Sequence, residues 1–268
     1  MGVKVSTLRH ASRVAVDSID PLRASVRTSR PVPAAALLCV YRRRNVAIVQ
    51  ALAASAQRLG MLVLLWALDE TAPELAASTI GSGPGSRFGL LNELASRVPA
   101  DRWLLVSDDD VEFGSYGMRA LLAWAKAFKL DLCQPAHARS GSYYFHRITG
   151  RNLLCVGRET TFVEIGPVLV IAAHARPRFL PFPAEGMGWG VELDWYDLHQ
   201  EGARLGIIDA SPIRHLTPIG GDYDGAQEMT RLRDLLLAHG VCRWEELQVN
   251  QRRLYPWSRV HTIVRDAD

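Results

Sequence analysis

Along the chain, short unbroken apolar runs alternate with stretches of helical spacing. Ala35-Ala36-Leu37-Leu38-Cys39-Val40 is a continuous run and reads as a strand buried on both faces. After a loop at 41–45, apolar residues recur at Val46, Val49, Leu52, Ala53 and Ala56, the period of an amphipathic helix, with Gly60 as its stop. Residues 61–66 form a second apolar run, closing in Ala67-Leu68-Asp69-Glu70. Strand, helix, strand in this order is a βαβ unit, and it predicts a parallel sheet.

The same reading predicts a helix over 90–98 after a glycine-rich loop at 82–89, then a strand over 103–106, a helix over 118–129 and a strand over 130–135. Further on, residues 161–165 and 168–171 read as strands and 192–203 as a helix opened by the glycine loop at 181–190. Residues 205–209 read as another strand with Arg214-His215-Leu216 just past it, and 225–239 as the last helix. Residues 136–161 show no clear period and read as a pocket wall or a packed β excursion. The expected fold is a single α/β domain over 31–268, a mostly parallel sheet flanked by helices.

Composition changes this picture little. The net charge of +3 comes almost wholly from arginine, since lysine occurs only at Lys4, Lys126 and Lys129, and no basic stripe argues for nucleic acid. Cys39, Cys133, Cys155 and Cys242 form no close pairs and read as reduced thiols. No run approaches the ~20 apolar residues of a membrane span. Residues 1–30 lack periodicity and read as a basic arm, disordered or loosely draped over the domain, whose arginines could touch anionic lipid. With no hydrophobic signal core, the expected location is cytoplasmic.

The chemistry concentrates where the strand at 103–106 runs into Ser107-Asp108-Asp109-Asp110. Aspartate is depleted in strands, and neighbouring carboxylates repel one another. Three acids at a strand's carboxyl end call for a positive partner, and a divalent cation holding phosphate is the commonest. Open α/β sheets bind ligands just beyond the carboxyl ends of their strands, so the position fits too. The loop at 82–89, with Arg87, is of the kind that cradles phosphate.

This series of elements resembles the nucleotide-sugar domain of GT-A fold glycosyltransferases, closest to the inverting family 2. The resemblance rests on strand–helix–strand ending in Asp69, the glycine loop before a helix carrying Asn92, Leu-Leu-Val-Ser-Asp-Asp-Asp at 104–110, Gly188-Trp189-Gly190-Val191-Glu192-Leu193-Asp194-Trp195, and His215. It covers residues from about 35 to 220, with a donor half over 31–112 and an acceptor half over 113–268. It implies a metal-dependent transfer of a sugar from a UDP-, GDP- or dTDP-sugar to an acceptor hydroxyl, with inversion. A retaining transferase on the same fold, or a catalytically inactive nucleotide-binding or scaffold module, is the alternative.

By the same resemblance, Asp108, Asp110 and His215 would ligate Mg²⁺ or Mn²⁺, the Asp-x-Asp pattern of that fold. Asp69 would recognise the base, Arg87 and Asn92 would lie near the sugar-diphosphate, and Asp108, Asp109 and Trp189 would line the donor site. Asp109 should matter least, because alternate residues point opposite ways along a strand. An inverting enzyme also needs a carboxylate to take the acceptor's proton. Glu192 and Asp194 compete for that role. Glu192 shares a helix face with Trp195, Tyr196 and His199, and Asp194 shares one with Asp197, Leu198 and Glu201. The first face looks like a pocket wall, so Glu192 is the expected base.

Overall fold

The first apolar run is the centre of the sheet. The computed structural model describes residues 30–114, 117–183, 188–218 and 225–258. In it β1 (Ala35–Tyr41) is buried at every position. A strand covered on both faces needs apolar side chains on both, which is why its sequence shows no alternation. β2 (Leu62–Ala67) pairs with it on one side and carries β3 (Thr79–Ser82) on its own edge, and β4 (Trp103–Ser107) pairs on the other side, all in parallel. The carboxyl ends of these strands therefore open on one edge of the sheet.

The remaining strands are β5 (Val111–Phe113), β6 (Leu132–His137), β7 (Gly157–Thr160), β8 (Val168–Ile171), β9 (Leu205–His215) and β10 (Asn250–Leu254). They complete a 10-stranded mixed sheet in the order β10-β7-β9-β6-β8-β4-β1-β2-β3, with β5 pairing β9 off that path. β8 is antiparallel to both β4 and β6, so it joins the first parallel block to the parallel pair of β6 and β9.

Alternate residues of β1 feed two cores. Leu37, Cys39 and Tyr41 pack with α1 (Val46–Arg58) and with Met118, Leu121 and Trp124 of α3 (Gly117–Ala127). Ala36, Leu38 and Val40 pack with Phe88, Leu91 and Leu94 of α2 (Arg87–Ser96) and with Val191 and Trp195 of α4 (Val191–Gln200). A smaller cluster of Ala136, Phe162, Leu193, Ile207 and Leu247 lies beyond, against residues of α5 (Gly225–Ala238). The result is a helix–sheet–helix sandwich, the α/β architecture expected from the pattern.

Several expectations need correction. Residues 161–165 form no strand. The N–H groups of Glu164 and Ile165 are taken instead by the side chains of Gln134 and Glu192. β9 runs on to His215, so Arg214 and His215 end the strand and do not lie past it. β3, β5, β7 and β10 carried no signal because they are short or polar. The arm at 1–30 lies outside the described residues except for Arg30, whose guanidinium packs over the Trp124 ring. Among the described residues, no helix is long and apolar enough to cross a membrane.

The sheet's polar flank is tied by one buried ion pair. Arg158 on β7 and Asp209 on β9 are 4% and 0% exposed and meet at 2.8 Å. The guanidinium also donates to Ile148 O, Gly150 O and Asn250 Oδ1, so it pins the 148–150 loop and β10 as well. Removing one partner of such a pair leaves the other charge buried and uncompensated. Asp209→Ala is expected to lower unfolding free energy by about 3–5 kcal/mol, measured by urea denaturation.

Candidate active site

β4 ends at Ser107, and each of the three carboxylates that follow is answered by a different element. The Asp108 N–H donates to Pro167 O at 2.8 Å, and its carboxylate receives Arg87 Nε at 2.7 Å from the start of α2. Ser86 caps that helix by accepting from the Gly89 N–H, which sets where Arg87 begins. The Asp109 carboxylate accepts from the Arg42 N–H at 2.8 Å, in the loop after β1. Asp110 lies 3.3 Å from His215 Nε2.

The last contact is a consequence of register. β5 pairs antiparallel with the end of β9, Val111 opposite His215, and the Leu216 N–H donates to Asp110 O. Ligand atoms of Asp108, Asp110 and His215 consequently lie within 4.8 Å of one another. His215 Nδ1 is 3.1 Å from Tyr143 O, an arrangement in which the Nδ1 hydrogen goes to the carbonyl and Nε2 faces the acids.

The electrostatics follow from these contacts. Burial pushes the Asp110 carboxyl up, but hydrogen bonds from His215 and Thr217 outweigh it and hold the group below its ordinary value. Burial also pulls His215 down, and Asp110 with Asp108 more than reverses that, so the imidazole sits above its usual range. Asp109 is raised, because burial and the Asp108 charge outweigh the hydrogen bonds from Arg42 and Asn45.

These groups border a cleft of about 280 Å³. Arg42, Arg44, Asn45, Leu68, Ser86, Arg87 and the three acids line it together with His137, Tyr143, Glu164, Trp189 and His215. Arg87, Asp108, Asp109, Asp110, Trp189 and His215 are thus brought together as the sequence suggested. Asp109 does not point idly away: it is buried, lines the cleft and holds the β1 loop.

Four other residues are placed elsewhere. Asp69 lies outside the cleft lining, where its carboxylate accepts from the N–H groups of Arg43 and Glu70. Asn92 faces away from the acids: its side-chain amide donates to Phe182 O and accepts from the Phe182 N–H, clamping that loop onto α2. Asp194 is exposed on the outer face of α4. Glu192 is 4% exposed, and its two oxygens accept from the N–H groups of Ile165 and Gly190.

Glycine is required in this last turn. Gly188 and Gly190 have φ of +81° and +102°, and a Cβ on Gly188 would come within 2.4 Å of the Phe88 ring. The sequence reading missed His137 and Glu164. The available signals were an acid inside the apolar stretch Phe162-Val163-Glu164-Ile165 and a histidine ending the β6 run.

No protein-family model matches the chain, and no curated protein matches its sequence. Solved structures do match by shape. The crystal structure of GalNAc-T7 with UDP, GalNAc and Mn²⁺ aligns with 81% of this chain and 50% of its own, at TM-score 0.57 and 9% identity. S. aureus TarS 1–349 aligns with 77% of this chain and 71% of its own, at TM-score 0.52 and 10% identity. A further structure of S. aureus TarS covers 80% and 44% at TM-score 0.51 and 9% identity. The chain spans half the length of the first of these. At such identities the likeness shows the fold, which is that of the GT-A glycosyltransferases.

Burial of Glu192 makes a pH-dependent prediction. Desolvation lifts its carboxyl from 4.5 to about 7 against the opposing backbone hydrogen bonds. Below pH 4.5 folded and unfolded chains both hold the proton, and the group does not disfavour folding. As pH rises through 7 the unfolded chain has lost that proton and the folded chain must bury a charge. The loss of stability amounts to roughly 3 kcal/mol. Glu192→Gln is expected to flatten the fall in unfolding free energy between pH 5 and 8, and urea titrations at each pH measure that slope.

Proposed function

We propose that this chain is a metal-dependent glycosyltransferase that moves a sugar from a nucleoside-diphosphate donor to an acceptor hydroxyl, with inversion at the anomeric carbon. The observation that carries the reading is the convergence of Asp108, Asp110 and His215 at the carboxyl end of β4, inside a cleft that also holds Arg87. The fold supports it.

Two carboxylates and one imidazole suit Mn²⁺ or Mg²⁺ better than a thiolate-seeking metal. Their present partners fit a waiting cation site: Asp110 and His215 balance each other, and Arg87 balances Asp108. Asp108, Asp110 and His215 would hold the ion. Bound there, it supplies Lewis-acid stabilisation of a departing diphosphate.

The chain's own residues do the rest. Arg87 shares charge with the diphosphate and keeps Asp108 oriented when no donor is present. The Arg42–Asn45 loop and Leu68 border the end of the cleft where the nucleoside would lie. Asp69 serves that end indirectly, by fixing the Arg43 N–H and with it the shape of the loop. Asn92 acts through the loop at Phe182 and does not touch the sugar. Trp189, which also lines the cleft, offers an aromatic surface to a sugar ring. The UDP and Mn²⁺ in the GalNAc-T7 crystal make that pair the first to test.

With Mn²⁺ and saturating UDP, GDP or dTDP, the matching nucleotide is expected to raise the melting temperature by about 5 °C or more. Nucleotide without metal should do much less, and Asp110→Asn should remove the shift. No stabilisation by any of the three with Mn²⁺ or Mg²⁺ would sink the donor site. For inversion, proton NMR of the first-formed product should show the anomeric configuration opposite to that of the donor.

A further inference from the structure

Neither carboxylate offered by the α4 motif reaches the cleft. Asp194 faces solvent, and Glu192 stands behind the wall with both oxygens engaged by the main chain. The proton of an acceptor hydroxyl therefore needs another destination.

The acceptor side of the cleft supplies one. Gln134 Nε2, His137 Nε2 and Glu164 Oε2 are buried and have no hydrogen-bond partner among the described residues. They belong to one cluster. Gln134 and His137 sit on β6, and the Gln134 side chain accepts from the Glu164 N–H at 2.5 Å. His137 Nε2 and Glu164 Oε2 face each other at 3.5 Å without forming a hydrogen bond. Both residues line the cleft that contains Asp110 and His215. An unpaired buried carboxylate oxygen is costly unless something polar completes it.

The cluster is also rigid. Ser142 Oγ accepts from the His215 N–H and lies 3.1 Å from His137 Nδ1. Ser142 thus ties the His137 ring to the backbone of His215. Tyr144 stacks on that ring at 5.0 Å. On the other side the 164–167 segment is clamped at successive residues: Gln134 holds the Glu164 N–H, Glu192 the Ile165 N–H, and Asp108 donates to Pro167 O. A Cβ on Gly166 would stand 3.4 Å from Asp108 Oδ2, so the segment that carries Glu164 passes directly beside Asp108.

We infer that Glu164 is the general base that receives the acceptor's proton, with His137, Gln134 and Glu192 as the residues that position it. This inference rests on the glycosyltransferase reading. The acceptor hydroxyl approaches the Glu164 carboxylate from the cleft. Its proton passes to that carboxylate as its oxygen bonds to the anomeric carbon. The bond from that carbon to the diphosphate oxygen breaks, and its electron pair leaves with the nucleoside diphosphate. Glu164 then returns the proton to solvent. Glu192 acts at one remove, by holding the Ile165 N–H.

Because the acceptor is unidentified, water is the probe: release of nucleoside diphosphate from UDP-, GDP- and dTDP-sugars with Mn²⁺. Glu164→Gln is expected to slow that release by about 10²–10⁴-fold. The Mn²⁺–nucleotide melting shift should survive, which also shows that the variant folds. In Glu164→Ala, sodium azide, a nucleophile with no proton to lose, should restore release and yield a glycosyl azide. It should not do so in Asp110→Ala.

Hydrolysis by Glu164→Gln within threefold of the parent would overturn the inference, and so would a loss that azide does not rescue while nucleotide binding persists. A parent that binds Mn²⁺–nucleotide yet hydrolyses no donor, with or without azide, overturns it too and leaves the donor site standing. No metal-dependent nucleotide binding at all would defeat the donor reading itself, a separate and distinguishable result.

Discussion

Three consecutive carboxylates at the end of a buried strand repel one another, and the surroundings of β4 are arranged to offset that repulsion. Each acid has a partner from a different part of the chain: Arg87 from α2, the Arg42 N–H from the loop after β1, His215 from the far end of β9. Burial penalises the charged form and prevails at Asp109, while Asp110 is held low by His215 and Thr217. The arrangement leaves two carboxylates and an imidazole facing one point, with charge compensation that a cation could take over.

The same constraint explains the less obvious parts of the fold. β5 is only three residues long, yet its pairing with β9 is what sets His215 beside Asp110. β8, antiparallel to β4, brings the cis Gly166–Pro167 bond and Glu164 alongside the acids. Glu192, deep behind that wall, stabilises it through backbone N–H groups. The residues that line the cleft thus come from separate stretches of the chain, and packing of the two cores on either face of β1 holds those stretches in register.

Much of this was legible in the sequence. Continuous apolar runs gave β1, β2, β4 and β8, and a 3.6-residue period gave α1 and α3, because burial on both faces or along one stripe leaves a plain pattern. That Asp108, Asp110, Arg87 and His215 would lie together was legible because charged residues at strand or helix ends have few structural reasons to be there. Asn92 and Asp69 were misplaced for the opposite reason. Polar side chains that satisfy backbone groups look the same in sequence as those that meet a ligand. Edge strands such as Asn250–Leu254 are polar and carry no period. Glu164 and His137 were hidden in the stretch around 136–165, where contacts between distant residues decide the conformation.

The central claim is that Asp108, Asp110 and His215 form one divalent-cation site whose affinity depends on a diphosphate. Electron paramagnetic resonance of Mn²⁺ measures this directly, because the six-line signal of free Mn²⁺ disappears on binding. Titrated into the protein with saturating UDP, GDP or dTDP in turn, the signal should be lost up to one equivalent with the matching nucleotide. The loss should be much weaker without nucleotide, and absent above background in Asp110→Ala. Equal loss of signal in the parent and in Asp110→Ala, or none with any of the three nucleotides, would contradict the account.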